Sequence, residues 1–399
     1  MKRFTEYLTE GKNLHMIHLE DQILERGIPG AEESIAFLKS LVDMLSNNTK
    51  GKVNVSVKWD GAPAVFVGTN PENGRFFVGS KSIFNKLNPK INYTQADIRK
   101  NHPGGLGKKL SIALKELKKL NIKGVIQGDM MYEKSDLKSQ TIDGEKLITF
   151  QPNTITYAVP EDSDLGKQIL KSKMGIVFHT EYKGRTLKDM SASFGLSVKK
   201  LKRVPSVWFD DANVKEVTGT ATFSANETKE INKQIKVVEK LLDKSRKFLP
   251  QVLGNTKVIE VLKIALNANV RAGKDTITFD EFVDFLKARL QRESDKLKTL
   301  KAIERKEEVF GRLFDALNRD KRRYEQLFAL HKEFVAAKIM IVRKLERIKS
   351  MGTFLKTDTG FKVVPAEGFV AIKKGSALKL VDRLEFSRNN FLIAKQWDK

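Results

Sequence analysis

Apolar residues recur at helical spacing within the first fifty residues and then switch to alternation. In GAEESIAFLKSLVDML, Ile35, Leu38, Leu41, Val42 and Leu45 share one face and acidic residues fill the first turn, which predicts a helix. From Lys52 the period shortens. KVNVSVKWDGAPAVFVG alternates as far as Lys58, breaks at Gly-Ala-Pro and resumes as AVFVG, a strand-turn-strand pattern. RFFVGSKS, reached through the turn NPENG, predicts a third short strand. VIQGDMMY, KLITFQPNTITYAV and MGIVFHTEYKG predict further strands, and HPGGLGKKLSIALKELKKL reads as a Gly-rich entry into an amphipathic helix. To about residue 220 the pattern is α+β.

A second texture follows. From Ser224 to Met351 helix formers dominate, and Ile231, Ile235, Val238, Leu241 and Leu242 keep a 3.6-residue period. Strand-like sequence returns near Phe354 with FKVV, EGFVAIKKG and SALKLVDRL. The expected organisation is an N-terminal helical segment (1–50) packed on an α+β domain (51–222), an inserted all-α bundle (223–351), and last strands of the α+β domain (352–399). No internal repeat or low-complexity linker is visible.

Composition narrows the function classes. The 399 residues contain no cysteine, which excludes disulfide scaffolds, Cys-ligated zinc, iron–sulfur clusters and thiol nucleophiles. No apolar run approaches the length of a membrane span, and MKRFTEYLTEGK lacks the apolar core of a signal peptide, so a soluble, cytoplasmic protein is expected. Lysine and arginine number 73 against 49 acidic residues, a formal charge of +24, which favours a polyanionic partner. The helical segment carries 30 basic and 19 acidic residues. It is the expected holder of a polynucleotide.

The chemistry-bearing stretch is Lys58-Trp59-Asp60-Gly61. A lysine at a strand end, followed by a carboxylate and a glycine turn, presents an amine that could act as a nucleophile once deprotonated; nearby cations or partial burial favour the neutral form. The tetrapeptide alone fits an ordinary hairpin turn with a solvated lysine. The order of the downstream stretches is more informative. KWDG, then GSKS with Ser80 and Lys81, VIQGDMMY with Asp129, GIVFHTEY with Phe178 and His179, EGFVAI with Glu367 and ALKLV with Lys379 occur in the order of the motifs of the covalent nucleotidyltransferases. The sequence therefore resembles that superfamily of ATP-dependent DNA ligases, RNA ligases and mRNA capping enzymes over about 320 residues.

The resemblance implies an adenylation domain of antiparallel sheets with helices, of the ATP-grasp-like ligase type. It also implies ATP and Mg²⁺ as cofactors and nucleic-acid ends with a 5′-phosphate as partners. Lys58 would be the nucleophile. Lys379 and Lys81 would meet phosphate charge, with Ser80 beside them. Glu367 and Asp129 would hold the metal or the ribose hydroxyls, and Asp60 the ribose or a metal-bound water. Adenine would lie on Phe178, or on His179, with Gly61 in the turn and backbone near Val57 reading the base edge. Lys81 stands where arginine is commoner. Val381 replaces the second lysine of the fifth motif, which makes Lys373 and Lys374 candidate substitutes. Only 20 residues follow Lys379, so no C-terminal OB domain is expected, a layout closest to the RNA ligases. The leading expectation is an ATP-dependent polynucleotide ligase, RNA before DNA. The alternatives are an enzyme that stops at nucleotidyl transfer to an RNA end or a protein, and a non-catalytic nucleic-acid-binding protein on a ligase fold.

Other patterns are weaker. DTITFDEFVDF resembles the exit of an EF-hand, but Val270, Ala272 and Lys274 occupy the first ligand positions. GGLGKK has Lys109 where a phosphate-binding loop needs Ser or Thr. His15 and His18 have no evident third metal ligand. The runs KKLKR (199–203) and RDKRR (319–323) are solvated faces or backbone contacts.

Overall fold

The computed structural model describes residues 16–46, 54–142, 144–213, 223–346, 352–357, 360–363, 368–373, 376–385 and 387. Two compact units interleave along the chain. One contains Val53–Val217 and Glu346–Lys379; the other contains Ile17–Lys52, Thr218–Leu345 and Leu380–Lys399. In chain order, β1 (Ile17–His18) and α1 (Gln22–Leu45) start the second unit. The first unit then supplies β2 (Asn54–Val57), β3 (Ala64–Thr69), β4 (Phe76–Gly79), α2 (Gln95–Asn101), α3 (Gly105–Leu117), β5 (Val125–Glu133), β6 (Lys138–Ile142) and β7 (Glu145–Phe150). It continues with β8 (Thr156–Pro160), α4 (Asp164–Lys171), β9 (Met174–Lys183), β10 (Ser191–Phe194) and β11 (Val207–Asp211). The second unit resumes with α5 (Ala225–Ser245), α6 (Leu249–Leu253), α7 (Thr256–Arg271), α8 (Phe279–Ser294), α9 (Leu300–Arg319) and α10 (Lys321–Leu345). The strands β12 (Gly352–Thr357), β13 (Gly360–Val363), β14 (Phe369–Lys373) and β15 (Ser376–Leu380) follow.

The first unit mixes helices with open sheets, and no barrel closes among the described residues. Its central sheet runs β10-β9-β5-β3-β4, with β11 beside β9. Period-2 alternation explains why both faces are apolar. Met130, Ile176 and Phe178 join Val65, Val67 and the Leu110, Ala113 and Leu117 face of α3. On the other face Met131, Tyr132, Val177 and Trp208 meet Ile148, Phe150 and Tyr157 of a second sheet, ordered β13-β12-β8-β7-β6. A third group of strands is built on β14, which pairs antiparallel with β2 from Phe369↔Val57 to Ile372↔Asn54 and has β15 as its other neighbour. Against the expectation of wholly antiparallel sheets, β11 runs parallel to β9. The intervening 184–206 segment is long enough for the crossover that a parallel pair requires.

The second unit also departs from expectation, because α1 belongs with the later helices and not with the α+β domain. Ser46 Oγ lies 2.9 Å from Thr228 Oγ1, and Phe223 N donates to Leu45 O at 2.6 Å. Ahead of α1, Glu20 is fully buried, and the buried Lys338 of α10 donates to Glu20 Oε1 at 2.5 Å. His331 Nε2 lies 3.0 Å from Asp21 Oδ1, and Arg383 reaches Asp21 Oδ2 at 3.2 Å. Burial alone would raise the Asp21 carboxyl, but the hydrogen bond from His331 and the charge of Arg383 outweigh it and hold Asp21 well below the usual carboxylate range. Burial pushes the nearby His18 down to about 4.

These shifts set a pH dependence. The unfolded chain protonates His18 near its ordinary value of 6.5 and the folded chain only near 4, so stability falls as pH drops through that interval. Asp21 adds a further loss below about pH 4, because its carboxyl is protonated more readily in the unfolded chain. Urea midpoints measured from pH 8 to pH 4 are expected to decline below pH 6.5, and His18→Asn is expected to flatten the interval above pH 4.

Candidate active site at the end of the Lys58 strand

Lys58 follows the last residue of β2 and is half-buried. Its N–H donates to Gly368 O at 2.8 Å, while Val57 N donates to Ala212 O at 2.7 Å and Ala212 N to Phe178 O at 3.0 Å. The strand end is thus held between β14 on one side and the ends of β11 and β9 on the other. The next two residues are anchored from below. Trp59 packs against the core with its ring 5.3 Å from Tyr157. Asp60, 6% exposed, donates its N–H to Tyr157 Oη at 2.8 Å. Its carboxylate accepts from Asn153 Nδ2 at 2.8 Å, Thr154 N at 2.6 Å and Ile155 N at 2.8 Å.

Gly61 then passes directly over β5. A Cβ at this position would meet Asp129 Cβ at 2.5 Å, so glycine is needed for close approach and not for its φ. The turn continues through a cis Ala62–Pro63 bond into β3, where Ala64 pairs with Asp129. Asp129 Oδ2 lies 3.4 Å from His179 Nε2. Asp129 pairs with Val177, and alternation puts His179 on the same face as both. The β5–β9 register slips between Gln127 and Gly128, so His179 is the extra residue and can share a face with Thr180. His179 Nδ1 and Thr180 Oγ1 are 2.7 Å apart. Gly128 faces the bulge, where a Cβ would meet Val177 O at 2.6 Å.

Several expected residues are therefore brought together: Lys58, Gly61, Asp129 and His179. Lys379 is half-buried on β15, which leaves β14 through only two residues; an antiparallel return carries it back towards the Gly368 end. Ser80 caps the turn after β4, with Ser82 N donating to its Oγ at 3.3 Å, and Lys81 is exposed beside it. β4 lies two strands from β5, about 10 Å at sheet spacing.

Other expectations are corrected. Phe178 is fully buried in the core, edge-on to Phe209, so its ring offers no face to a base and His179 is the aromatic at the site. The Asp60 carboxylate is committed to the 153–155 turn, and the Val57 N–H to Ala212, so neither fits its expected nucleotide contact. Lys373 lies five residues along β14 from Gly368, about 17 Å at strand rise, and is no substitute at the Lys58 end. Glu367 lies outside the described residues.

Residues 13–395 match the model of a family of unknown function, DUF6267. The chain belongs to the DUF6267 family. Comparison with curated proteins and with solved structures finds no match. In this DUF6267 chain the positioning groups Trp59, Tyr157, Asn153 and Ala212 were missed by sequence reasoning. The turn QPNT between β7 and β8 was the available signal, since an Asn-containing turn often ties backbone to a side chain.

Because Asp60 holds two backbone donors and a side-chain amide, Asp60→Ala is expected to destabilise the protein by about 2–4 kcal/mol. Urea unfolding followed by Trp fluorescence measures this. A variant as stable as the wild type would remove the structural role.

Proposed function

We propose that this protein is a covalent nucleotidyltransferase of the polynucleotide-ligase type, with Lys58 as the nucleophile and ATP as the donor. One observation supports the reading above all. Stretches at 58–61, 128–129, 178–179 and 368, spread across the chain, meet through backbone bonds and close contacts around one strand end. A turn with a solvated lysine would not need that convergence.

The chemistry follows from the groups present. The Lys58 amine, having lost its proton, attacks the α-phosphorus of ATP; a P–N bond forms, the bond from that phosphorus to the β-bridging oxygen breaks, and pyrophosphate leaves. Lys379 and Lys81 offset the phosphate charge. His179, beside Asp129, would meet the base or the ribose. No group of three or more His, Asp or Glu side chains converges among the described residues. A magnesium ion would be held by Asp129 together with water and phosphate oxygens, the mode this ion favours, and would supply charge neutralisation. AMP would then pass to a 5′-phosphate of a nucleic acid, RNA before DNA, and a 3′-hydroxyl would displace it.

Incubation with α-labelled ATP and Mg²⁺ is expected to leave label on the protein in a denaturing gel, stable to alkali and lost in acid as a phosphoramidate is. Lys58→Ala should abolish it. Lys58→Arg should do the same, because a guanidinium stays protonated. A folded wild type that takes no label, or a Lys58→Ala variant that keeps it, sinks the proposal.

A further inference from the structure

The positive charge is distributed unevenly, in a way that the sequence totals conceal. Between Arg75 and Lys123, 49 residues hold twelve lysines and arginines against two acidic residues, a net of +10. The helical stretch from Ser224 to Met351 needs 128 residues to reach +11. Both acids in the shorter segment are engaged. Asp97 closes the capping box of α2, accepting from Tyr93 N and Thr94 N, and the Glu116 carboxylate is bound by Lys119. In the helical unit, by contrast, many cations are matched locally. Lys39 pairs with Glu239, Arg246 with Glu32 and Asp243, Lys263 with Glu25, Lys274 with Glu281, and Lys321 with Asp280. Arg289 and Lys306 both bind Glu293. Lys81, Lys86, Arg99, Lys100 and Lys108 make no ion pair among the described residues.

These cations belong to one fastened piece of the first unit. Lys90 Nζ donates to Asn101 O at 3.2 Å and Asn101 Nδ2 to Asn92 Oδ1 at 3.0 Å, which ties the 81–91 loop to the end of α2. Gln95 Nε2 donates to Ser111 O at 3.0 Å and ties α2 to α3. At the loop tip Asn85 Oδ1 accepts from Leu87 N and Asn88 N, and Leu87 is 97% exposed. The loop begins at Ser80, just past the end of β4, which lies two strands from β5 and its Asp129. A polyanion following it would arrive at the Lys58 site.

We infer that the surface of residues 81–108, and not the helical unit, holds the polynucleotide, with Lys86, Arg99 and Lys100 on its phosphates and Leu87 against a sugar or base. The inference rests on the nucleotidyltransferase reading for the choice of partner. An anionic membrane fits less well, since Leu87 and the partly exposed Leu106 are the large apolar side chains this segment offers among the described residues, too little to insert.

The test is fluorescence anisotropy with a 5′-phosphorylated 20-nucleotide RNA labelled at its 3′ end, from 50 to 300 mM NaCl. Lys86→Ala/Arg99→Ala/Lys100→Ala is expected to weaken binding at least tenfold at 100 mM salt and to reduce the log–log salt slope by about 2, the value for three lost contacts on a single strand. Lys229→Ala/Lys233→Ala/Lys236→Ala removes equal charge from exposed positions on α5 and is expected to stay within twofold of wild type. An unchanged first variant, a second variant that carries the loss, or a wild type that binds phosphatidylserine vesicles and no RNA would each overturn the assignment. Labelling of the wild type with α-labelled ATP is read separately. Its absence would remove the catalytic reading, while the binding data still judge the surface.

Discussion

A single buried carboxylate fixes the geometry on which the site depends. Asp60 accepts two backbone N–H groups and one side-chain amide from the turn joining β7 and β8, each bond to a charged acceptor contributing about 1.5–3 kcal/mol. Removing the acceptor would leave buried donors unmatched, so the turn and the residue after Trp59 are locked as one object. Lys58, two residues upstream, inherits a fixed backbone direction. Gly61, one residue downstream, is pressed against Asp129 so closely that no side chain fits. The backbone that carries Lys58 is therefore placed by the contacts of Asp60 and Gly61.

Much of the first unit was legible because its central strands are short, mainly apolar runs. VIQGDMMY and MGIVFHTEYKG appear as β5 and β9, and the buried stripe of α5 falls on the predicted Ile231, Ile235, Val238 and Leu242. Alternation has no means of announcing a bulge. Period 2 sends Phe178 and His179 to opposite faces without saying which of them meets Asp129, and the pairing of Asp129 with Val177 decides it for His179. Nor could spacing distinguish a carboxylate that serves the fold from one that serves a ligand, since Asp60 looks the same in either role. The affiliation of α1 was hidden for another reason: its partners, such as Thr228, lie nearly two hundred residues away, and periodicity is a local signal.

Net charge shows the same limit. Charge summed over a segment weighs a lysine in an ion pair equally with one facing solvent. In the helical unit many cations are matched by carboxylates one turn away or on an adjacent helix, and their field is largely cancelled within a Debye length. Along 75–123 almost no counter-charge exists, so the field extends outwards. The binding capacity of a basic protein is therefore better judged from unpaired cations per unit of chain than from the overall +24.

The pairing of β2 with β14 carries a consequence for biosynthesis. Phe369, the cross-strand neighbour of Val57, is made more than three hundred residues after it. At about 5–20 residues per second, the strand bearing Lys58 waits some 15–60 seconds for its partner. During that wait the Lys58 N–H has no Gly368 carbonyl to bind, and the lysine is not yet held in its final backbone setting. The candidate site is thus completed only after Gly368 has been made.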